Sequence, residues 1–211
     1  MAKEKIILIG GGGHCKSVID VIETENKFEI AGIVDIKEKI GEKILDYKII
    51  ACDDNLPELT KTYKNFIITI GQIKSPEIRI KIYNNLKSLN VNLPVIISPF
   101  SHVSKHSEIN EGTIIMHNVI VNAGAKIGKN CIINNKALIE HDAIIGDNCH
   151  ISTNAKINGD CIVNSNTFFG SGAILSNGIT IAENNIIAAG AVIYRNTKPN
   201  ATYIGNPARK I

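Results

Sequence analysis

A six-residue repeat is the feature that most constrains this chain. From Val103 to Ile193 every sixth residue is bulky and apolar, in sixteen consecutive positions. Four places after each, the residue is small in most repeats, as at Ala125 and Ala137. One inward aliphatic per six residues predicts short strands joined by tight corners, three strands to a triangular coil. We therefore expect about five stacked coils of a parallel β-helix, whose core forms only by stacking.

The composition changes near residue 97. Of the 43 charged residues, 27 lie in residues 1–97 and 16 in 98–211, whereas Asn rises from 7 to 17 across the same boundary. Pro94 and Pro99 bracket the change. Because Asn favours turns, the second part suits a solenoid with many corners. We predict two domains, residues 1–97 and residues 98–211, the second ending in a C-terminal cap.

The first 97 residues alternate strand and helix patterns. Apolar runs predict strands over residues 5–9, 29–34 and 66–70, with a last strand over 91–97. Helical spacing follows in residues 14–25 and again from Ser75, where Ile78, Ile82, Leu86 and Leu89 are the apolar positions. This order predicts a small α/β domain with a parallel, Rossmann-like sheet.

A run of four glycines, Gly10 to Gly13, joins the first strand to the first helix and is followed by His14. Glycine lets a backbone approach a ligand closely, and amides at a helix start attract phosphate. The dinucleotide fingerprint is incomplete, because Cys15 takes its third glycine position. The loop favours a nucleotide site, with Asp35 at the end of the second strand as an acid for a ribose or sugar hydroxyl. A loop that only shapes the turn, and an Asp35 that only caps it, stay open.

His141 lies midway along the repeats between Glu140 and Asp142. A neighbouring carboxylate orients an imidazole and raises its basicity, which suits a general base. A plain surface histidine is the alternative. His102 and His106 have the spacing of a helical zinc pair but lie where a helix is not expected, so we expect no metal. The cysteines of the repeats occupy the small-residue position and are expected to pack, namely Cys131, Cys149 and Cys161.

The GGGGH loop, the hexads, the IEHD segment around His141 and the closing Gly205-Asn206-Pro207-Ala208 together resemble a family of bacterial sugar acetyltransferases. Its members join a nucleotide-sugar-binding α/β domain to a left-handed parallel β-helix. They include nucleotide-4-amino-sugar N-acetyltransferases and sialic-acid O-acetyltransferases. The resemblance covers the chain from Lys5 to Ile211 and implies the left hand of the helix, which the spacing does not show.

The resemblance also implies roles for individual residues. His141 matches the catalytic base and Asp142 its acidic neighbour. Residues expected to contact acetyl-CoA are His150, Gly159, Ala188, Ala189 and Gly190. Residues expected to bind the nucleotide sugar are Gly12, Gly13, His14, Asp35 and Gly71. Two departures from the family pattern are Ile36, where a related type carries a second acid, and the Ala188-Ala189 pair, which replaces a glycine-rich stretch.

The family implies direct acetyl transfer from acetyl-CoA to the 4-amino group of a UDP- or TDP-linked sugar, in a homotrimer and without a metal. An O-acetyltransferase of the sialic-acid type is the nearest alternative. An NAD-dependent oxidoreductase and a non-catalytic scaffold are more distant ones. The net charge of +3, with both signs mixed, does not suggest a nucleic-acid partner. Charges near the start and the lack of a long apolar run lead us to expect a cytoplasmic protein without a membrane span.

Overall fold

The amino-terminal domain is built on a five-stranded sheet of apolar, β-branched runs. The computed structural model describes residues 3–211. The strands of this sheet are β1 (Glu4–Ile9), β2 (Phe28–Val34), β3 (Lys43–Ile44), β4 (Tyr47–Ala51) and β5 (Asn65–Ile68). They lie in the order β3-β4-β2-β1-β5, parallel throughout except for the β3–β4 hairpin. The parallel sheet expected from the sequence is confirmed, and the hairpin is an addition to it.

Helices cover both faces of this sheet. They are α1 (Gly13–Glu25), α2 (Leu56–Thr62) and α3 (Glu77–Ser88), with short 3₁₀ turns at Lys37–Lys39 and Asp53–Asn55. The apolar side of α1 packs on one face of the sheet, where it also meets Ile96, Ile114 and Met116 of the solenoid. Leu56 of α2 and Leu86 of α3 pack on the other face. The α/β domain therefore shares an apolar core with the solenoid.

Two details of the predicted α/β domain are wrong. Residues 91–97 do not form one strand of its sheet. Asn92 makes only an isolated parallel bridge to Asn65 of β5, and the regular strand β6 (Ile96–Ile97) pairs with Ile114–Ile115 of the solenoid. The first strand of the coils therefore begins at Ile96. In α3, Ile78 is 64% exposed whereas Arg79 is buried. The buried residues of this helix are Arg79, Ile82 and Leu86. The buried side therefore begins at residue 79 and not at the predicted residue 78.

The hexads form the predicted left-handed parallel β-helix, in which strands eighteen residues apart stack in register. Its three faces are named here I, II and III. Face I contains β6, β9 (Ile114–Ile115), β12 (Ile132–Ile133), β15 (His150–Ile151), β18 (Phe168–Phe169), β21 (Ile186–Ile187), β23 (Thr202–Ile204) and β24 (Arg209–Lys210). Face II contains β7 (His102–Val103), β10 (Ile120–Val121), β13 (Leu138–Ile139), β16 (Lys156–Ile157), β19 (Ile174–Leu175) and β22 (Val192–Ile193). Face III contains β8 (Glu108–Ile109), β11 (Lys126–Ile127), β14 (Ile144–Ile145), β17 (Ile162–Val163) and β20 (Thr180–Ile181).

The interior of the prism follows the sequence pattern. Hexad aliphatics such as Ile133 and Ile151 are buried, and so are the small residues at the corners. The three solenoid cysteines are buried and unpaired, as expected for packing residues. Each corner from Gly112 to Gly190 places one residue in the left-handed backbone region, where Asn, Asp and Gly predominate. This explains the excess of Asn after residue 97. No helix in residues 3–211 is long and apolar enough to cross a membrane.

Candidate active site

A cleft of about 660 Å³ opens between the glycine loop and face I of the solenoid. The loop after β5, residues 70–73, forms one wall and is called here the cleft loop. The solenoid supplies Asn134 and His150 to the same wall. The remaining lining consists of Gly10, Gly11, Gly12, Gly13, His14, Ser17, Asp35 and Lys39. All five residues predicted to bind the nucleotide sugar therefore surround one space.

The four glycines of the loop divide into two pairs. A Cβ at Gly10 would lie 2.3 Å from the Ile70 side chain, and one at Gly11 would lie 2.7 Å from an Asp35 carboxylate oxygen. These two shape the turn and its packing. A Cβ at Gly12 or Gly13 would meet no atom within 4 Å. Those positions leave free the space where a phosphate would meet the start of α1.

Asp35 is hydrogen-bonded to the backbone of the glycine loop. One carboxylate oxygen accepts the backbone N–H of Gly11 at 2.7 Å, and the other accepts that of Ile36 at 2.7 Å. Lys39 Nζ lies 3.4 Å from the same carboxylate. Burial alone would raise the pKa of Asp35, but the N–H donors and the Lys39 charge keep it below its usual range. Asp35 therefore caps the loop, the alternative that the sequence left open, while still lining the cleft.

Two histidines in the cleft are kept neutral. Burial, aided by the charge of Arg79, lowers the pKa of His14 to about 3 and that of His150 to about 4. The buried Nε2 atom of His14 has no hydrogen-bond partner in the protein. His150 bonds through Nδ1 to the Gln72 carbonyl at 2.6 Å and packs edge-on against Phe168. His14 thus presents an unused polar atom beside the cleft, whereas His150 is engaged with the cleft loop.

His141 and Asp142 lie at the corner between faces II and III. Nδ1 of His141 is 3.0 Å from an Asp142 carboxylate oxygen. A carboxylate only accepts, so Nδ1 carries the proton and Nε2 is left with its lone pair. The hydrogen bond that His141 donates to Asp142, with the nearby acidic charges, raises the pKa of His141 above its usual range. A Glu140 carboxylate oxygen accepts from the Asn122 side-chain amide at 2.7 Å and from the His141 backbone N–H at 3.3 Å.

Glycines in the neighbouring coils make room for this pair. A Cβ at Gly159 would lie 2.5 Å from Cε1 and Nε2 of His141, and a Cβ at Gly124 would lie 2.2 Å from an Asp142 carboxylate oxygen. Gly159, expected to touch a ligand, here packs against the imidazole. Gly124 was missed in the sequence, although it precedes Asp142 by eighteen residues, one full coil. Asp160 also approaches the pair, and one ligand atom from each of the three side chains lies within 4.8 Å of the others.

The other predicted acetyl-CoA residues lie at a different corner. Ala188, Ala189 and Gly190 follow β21 at the corner between faces I and II, and the last two are exposed. His150, predicted to belong with them, lies instead on face I in the wall of the cleft. Neither His141 nor Asp142 lines that cleft. Within one chain, therefore, the imidazole and the glycine-loop cleft occupy separate parts of the surface.

Ser98, His117 and Asp20 are hydrogen-bonded in the order of a hydrolase triad. Ser98 Oγ lies 2.6 Å from His117 Nδ1, and His117 Nε2 lies 2.8 Å from an Asp20 carboxylate oxygen. Ser98 is fully buried and cannot reach a substrate. The three residues instead join α1 to the solenoid, and His141 is left as the accessible imidazole with a carboxylate partner.

The comparisons with known proteins agree with this architecture. Residues 5–86 match the PglD N-terminal domain, and three overlapping stretches, 106–141, 124–159 and 142–177, match the bacterial transferase hexapeptide family. No curated protein sequence matches the chain. An α/β cleft beside a hexapeptide solenoid that carries a carboxylate-bound imidazole defines an acyltransferase.

Solved structures narrow this class. PerB from Caulobacter crescentus, in complex with CoA and GDP-perosamine, is 30% identical with a TM-score of 0.91; the match covers 100% of this chain and 98% of PerB. The acetyltransferase domain of PglB from Neisseria gonorrhoeae, in complex with acetyl coenzyme A, is 27% identical with a TM-score of 0.90 over both full chains. The chain belongs to the sugar acetyltransferases that join a PglD-type N-terminal domain to hexapeptide repeats.

WeeI from Acinetobacter baumannii shares this fold at 23% identity. Its TM-score is 0.86, and the match covers 99% of this chain and all of WeeI. The arrangement of α/β domain and solenoid is thus common to chains of quite different sequence.

Proposed function

We propose that this protein transfers the acetyl group of acetyl-CoA to the 4-amino group of a UDP- or TDP-linked amino-deoxy sugar, for bacterial surface-glycan biosynthesis. The observation that carries the proposal is the end-to-end match to PerB, a relative in complex with CoA and GDP-perosamine. Because that relative holds a GDP-linked sugar, GDP joins UDP and TDP among the nucleotides to test.

His141 is the proposed general base. Its Nε2 takes a proton from the amine as the nitrogen attacks the thioester carbonyl, so that a C–N bond forms and the C–S bond breaks. The protonated imidazole then returns the proton to the leaving CoA thiolate. Asp142 holds the Nδ1 proton and stabilises the imidazolium that forms between these steps. The solenoid cysteines are buried, so they do not offer a nucleophile for an acyl-enzyme, and the transfer is direct.

The cleft is the proposed nucleotide-sugar site. Gly12 and Gly13 leave the start of α1 open for the diphosphate. Gly71, His14 and Asp35 line the rest. The proposed contacts of acetyl-CoA are His150 and the exposed corner at Ala189 and Gly190. Gly159 is proposed to contribute by leaving room for the His141 ring.

A homotrimer is proposed because one chain keeps the cleft and His141 apart. The first strands of face I pack against the α/β domain, whereas faces II and III point apolar side chains outward. Ile120 is 43% exposed and Ile144 is 42% exposed in the single chain. Leu138, Ile162 and Ile174 are half-buried on the same two faces. Packing these faces against neighbouring copies buries the apolar area and brings His141 of one copy towards the cleft of another.

The trimer can be tested separately from the chemistry. Sedimentation velocity of the wild type should give the mass of three chains. Ile120→Asp should give a smaller species, since a carboxylate in an apolar interface is costly to bury. A wild-type monomer with full activity would contradict the trimer proposal.

The acceptor panel tests the function itself. The protein is incubated with acetyl-CoA and with UDP-, TDP- and GDP-linked 4-amino sugars, and products are examined for the mass of one added acetyl group. His141→Ala should lower the rate by about 10²- to 10⁴-fold without changing the melting temperature. Acetylation of a sugar hydroxyl, as in sialic acid, with no reaction at any amine would overturn the N-acetyltransferase proposal.

A further inference from the structure

Arg79 is a buried cation that the proposed chemistry does not use. It is 1% exposed, near the start of α3, and burial lowers its pKa to about 10, so it remains charged at neutral pH. Charges of this kind are costly to bury and persist where they are held by several acceptors. Its four hydrogen bonds all go to neutral oxygens of the protein.

The guanidinium joins the two domains beside the cleft. Nη1 donates to the carbonyl oxygens of Ile68, at 3.1 Å, and Ile70, at 2.7 Å. Nη2 donates to the backbone carbonyl of Asn130, at 3.1 Å, and to its side-chain oxygen, at 2.7 Å. The planar fork of Arg suits such a bridge, which a Lys ammonium on a different stem does not reproduce. One side chain thus fixes the strand end that leads into the cleft loop onto the solenoid.

Two further hydrogen bonds attach the cleft loop to the next coil. Gln72 Nε2 donates to the Asn148 carbonyl at 2.9 Å, and His150 Nδ1 bonds to the Gln72 carbonyl at 2.6 Å. Ile70 in turn packs against Gly10 of the glycine loop. The position of both loops of the cleft therefore depends on this seam.

The solenoid side of the seam is itself ordered by a ladder of asparagines. Each side-chain amide donates to the next side-chain oxygen one coil further, beginning at Asn130, which donates to Asn148 at 2.9 Å. The side-chain oxygen of Asn130 accepts from Arg79, so its side-chain NH₂ group is the one that donates to Asn148 in the next coil. The later members of the ladder are Asn166, Asn184 and Asn200.

We propose that Arg79 is a positioning residue for the nucleotide-sugar cleft: it holds residues 68–71 against Asn130 so that the cleft keeps a fixed place on the solenoid. This inference rests on the proposed function only for its kinetic consequence. If Arg79 only held the two domains together, its removal would lower the stability of the whole chain and would not loosen the cleft loop in particular.

Tyr83 offers a matched control on the same helix. Its hydroxyl donates to a Glu111 carboxylate oxygen at 2.7 Å, so it also bridges α3 to the solenoid, one helical turn from Arg79. Tyr83 makes no hydrogen bond to the cleft loop and does not line the cleft. Tyr83→Phe removes a domain bridge and leaves the cleft seam intact.

The experiment compares Arg79→Lys, Arg79→Met and Tyr83→Phe with the wild type. Hydrogen–deuterium exchange of residues 68–73 should accelerate in both Arg79 variants and stay unchanged in Tyr83→Phe. The KM for the nucleotide sugar should rise by about ten-fold in Arg79→Met, and by clearly more than the KM for acetyl-CoA, because the displaced cleft loop lines the nucleotide-sugar site directly. Arg79→Lys should fall between Arg79→Met and the wild type.

If Arg79→Met does not fold, Asn130→Gly replaces it. Glycine accepts the positive φ of 54° at this position, and the change removes one Nη2 acceptor, so exchange in residues 68–73 should still rise. Unchanged exchange there, or an equal rise of both KM values, would overturn the proposal. If the wild type acetylates no sugar in the panel, the proposed function fails, and exchange with calorimetric titration of UDP, TDP and GDP still decides the role of Arg79.

Discussion

The imidazole of His141 rests on the bare backbone of Gly159, one coil further along the solenoid. A Cβ at position 159 would lie 2.5 Å from Cε1 and Nε2 of the ring. The same column holds Ala123 before His141 and Asn177 after Gly159, so side chains are tolerated elsewhere in it. Glycine is thus required at this level by the ring that lies above it.

Gly159→Ala should therefore displace the imidazole from Asp142 and from the acceptor amine. We expect kcat to fall by about 10- to 100-fold, because small misplacements of a catalytic group cost rates of this size. The melting temperature should change little, since the ring is exposed and can turn outward. Asn177→Ala, one coil further, is the control and should keep full activity; equal losses in both variants would contradict the role of Gly159.

Asp142→Asn separates the orientation of His141 from its basicity. Asn accepts the left-handed φ of 58° at this position, so the corner should remain intact. The hydrogen bond to Asp142 raises the pKa of His141, so its loss lowers that pKa. A general base works when deprotonated, and the acid limb of the kcat/KM profile should move to lower pH while the maximal rate falls by about 10-fold or more. An acid limb that stays in place would mean that another group titrates.

Much of the solenoid could be predicted from the sequence because a period of six assigns each residue to the core, a face or a corner. The same period, multiplied to eighteen, would also have found Gly124 beside Asp142. It does not show which coil faces the α/β domain. The hydrogen bond between His150 and the Gln72 carbonyl in the wall of the cleft was for that reason not predicted.

The α/β domain was predicted less completely. The β3–β4 hairpin and α2 are too short for a periodic signal. Arg79 had no signal either, since a charged residue in an amphipathic helix is expected on its solvent side. Its burial depends on acceptors that only the fold brings together: the carbonyl oxygens of Ile68 and Ile70 and the two oxygens of Asn130. For Asp35 the sequence left both a ligand contact and a cap open, because the N–H groups of Gly11 and Ile36 reach its carboxylate only in the folded chain.

Gly13→Val tests the open half of the glycine loop. A side chain at this position would meet no protein atom, so the variant should fold, but it would fill the space proposed for the diphosphate. Calorimetry should show nucleotide-sugar affinity reduced by about ten-fold or more, the equivalent of a lost hydrogen bond to a charged group. Acetyl-CoA affinity should be unchanged. Equal loss of both ligands would mean that the two subsites are wrongly divided.

The neutral histidines of the cleft should make stability depend on pH. The pKa values of about 3 for His14 and about 4 for His150 lie below the value of 6.5 expected in the unfolded chain, chiefly through burial. As pH falls below 6.5, the unfolded chain takes up protons that the folded chain does not, so the free energy of unfolding falls. The slope should approach about 1.4 kcal/mol per pH unit for each histidine.

Urea denaturation at constant protein concentration between pH 7 and pH 5 measures this slope. His150→Asn should make it shallower, because Asn can still donate to the Gln72 carbonyl but does not titrate. Asn177→Ala is the control: that side chain is exposed and does not titrate, so its removal should leave the slope as in the wild type. A slope identical in His150→Asn and the wild type would show that His150 accepts a proton inside the folded cleft, and the neutral imidazole would then have to be abandoned.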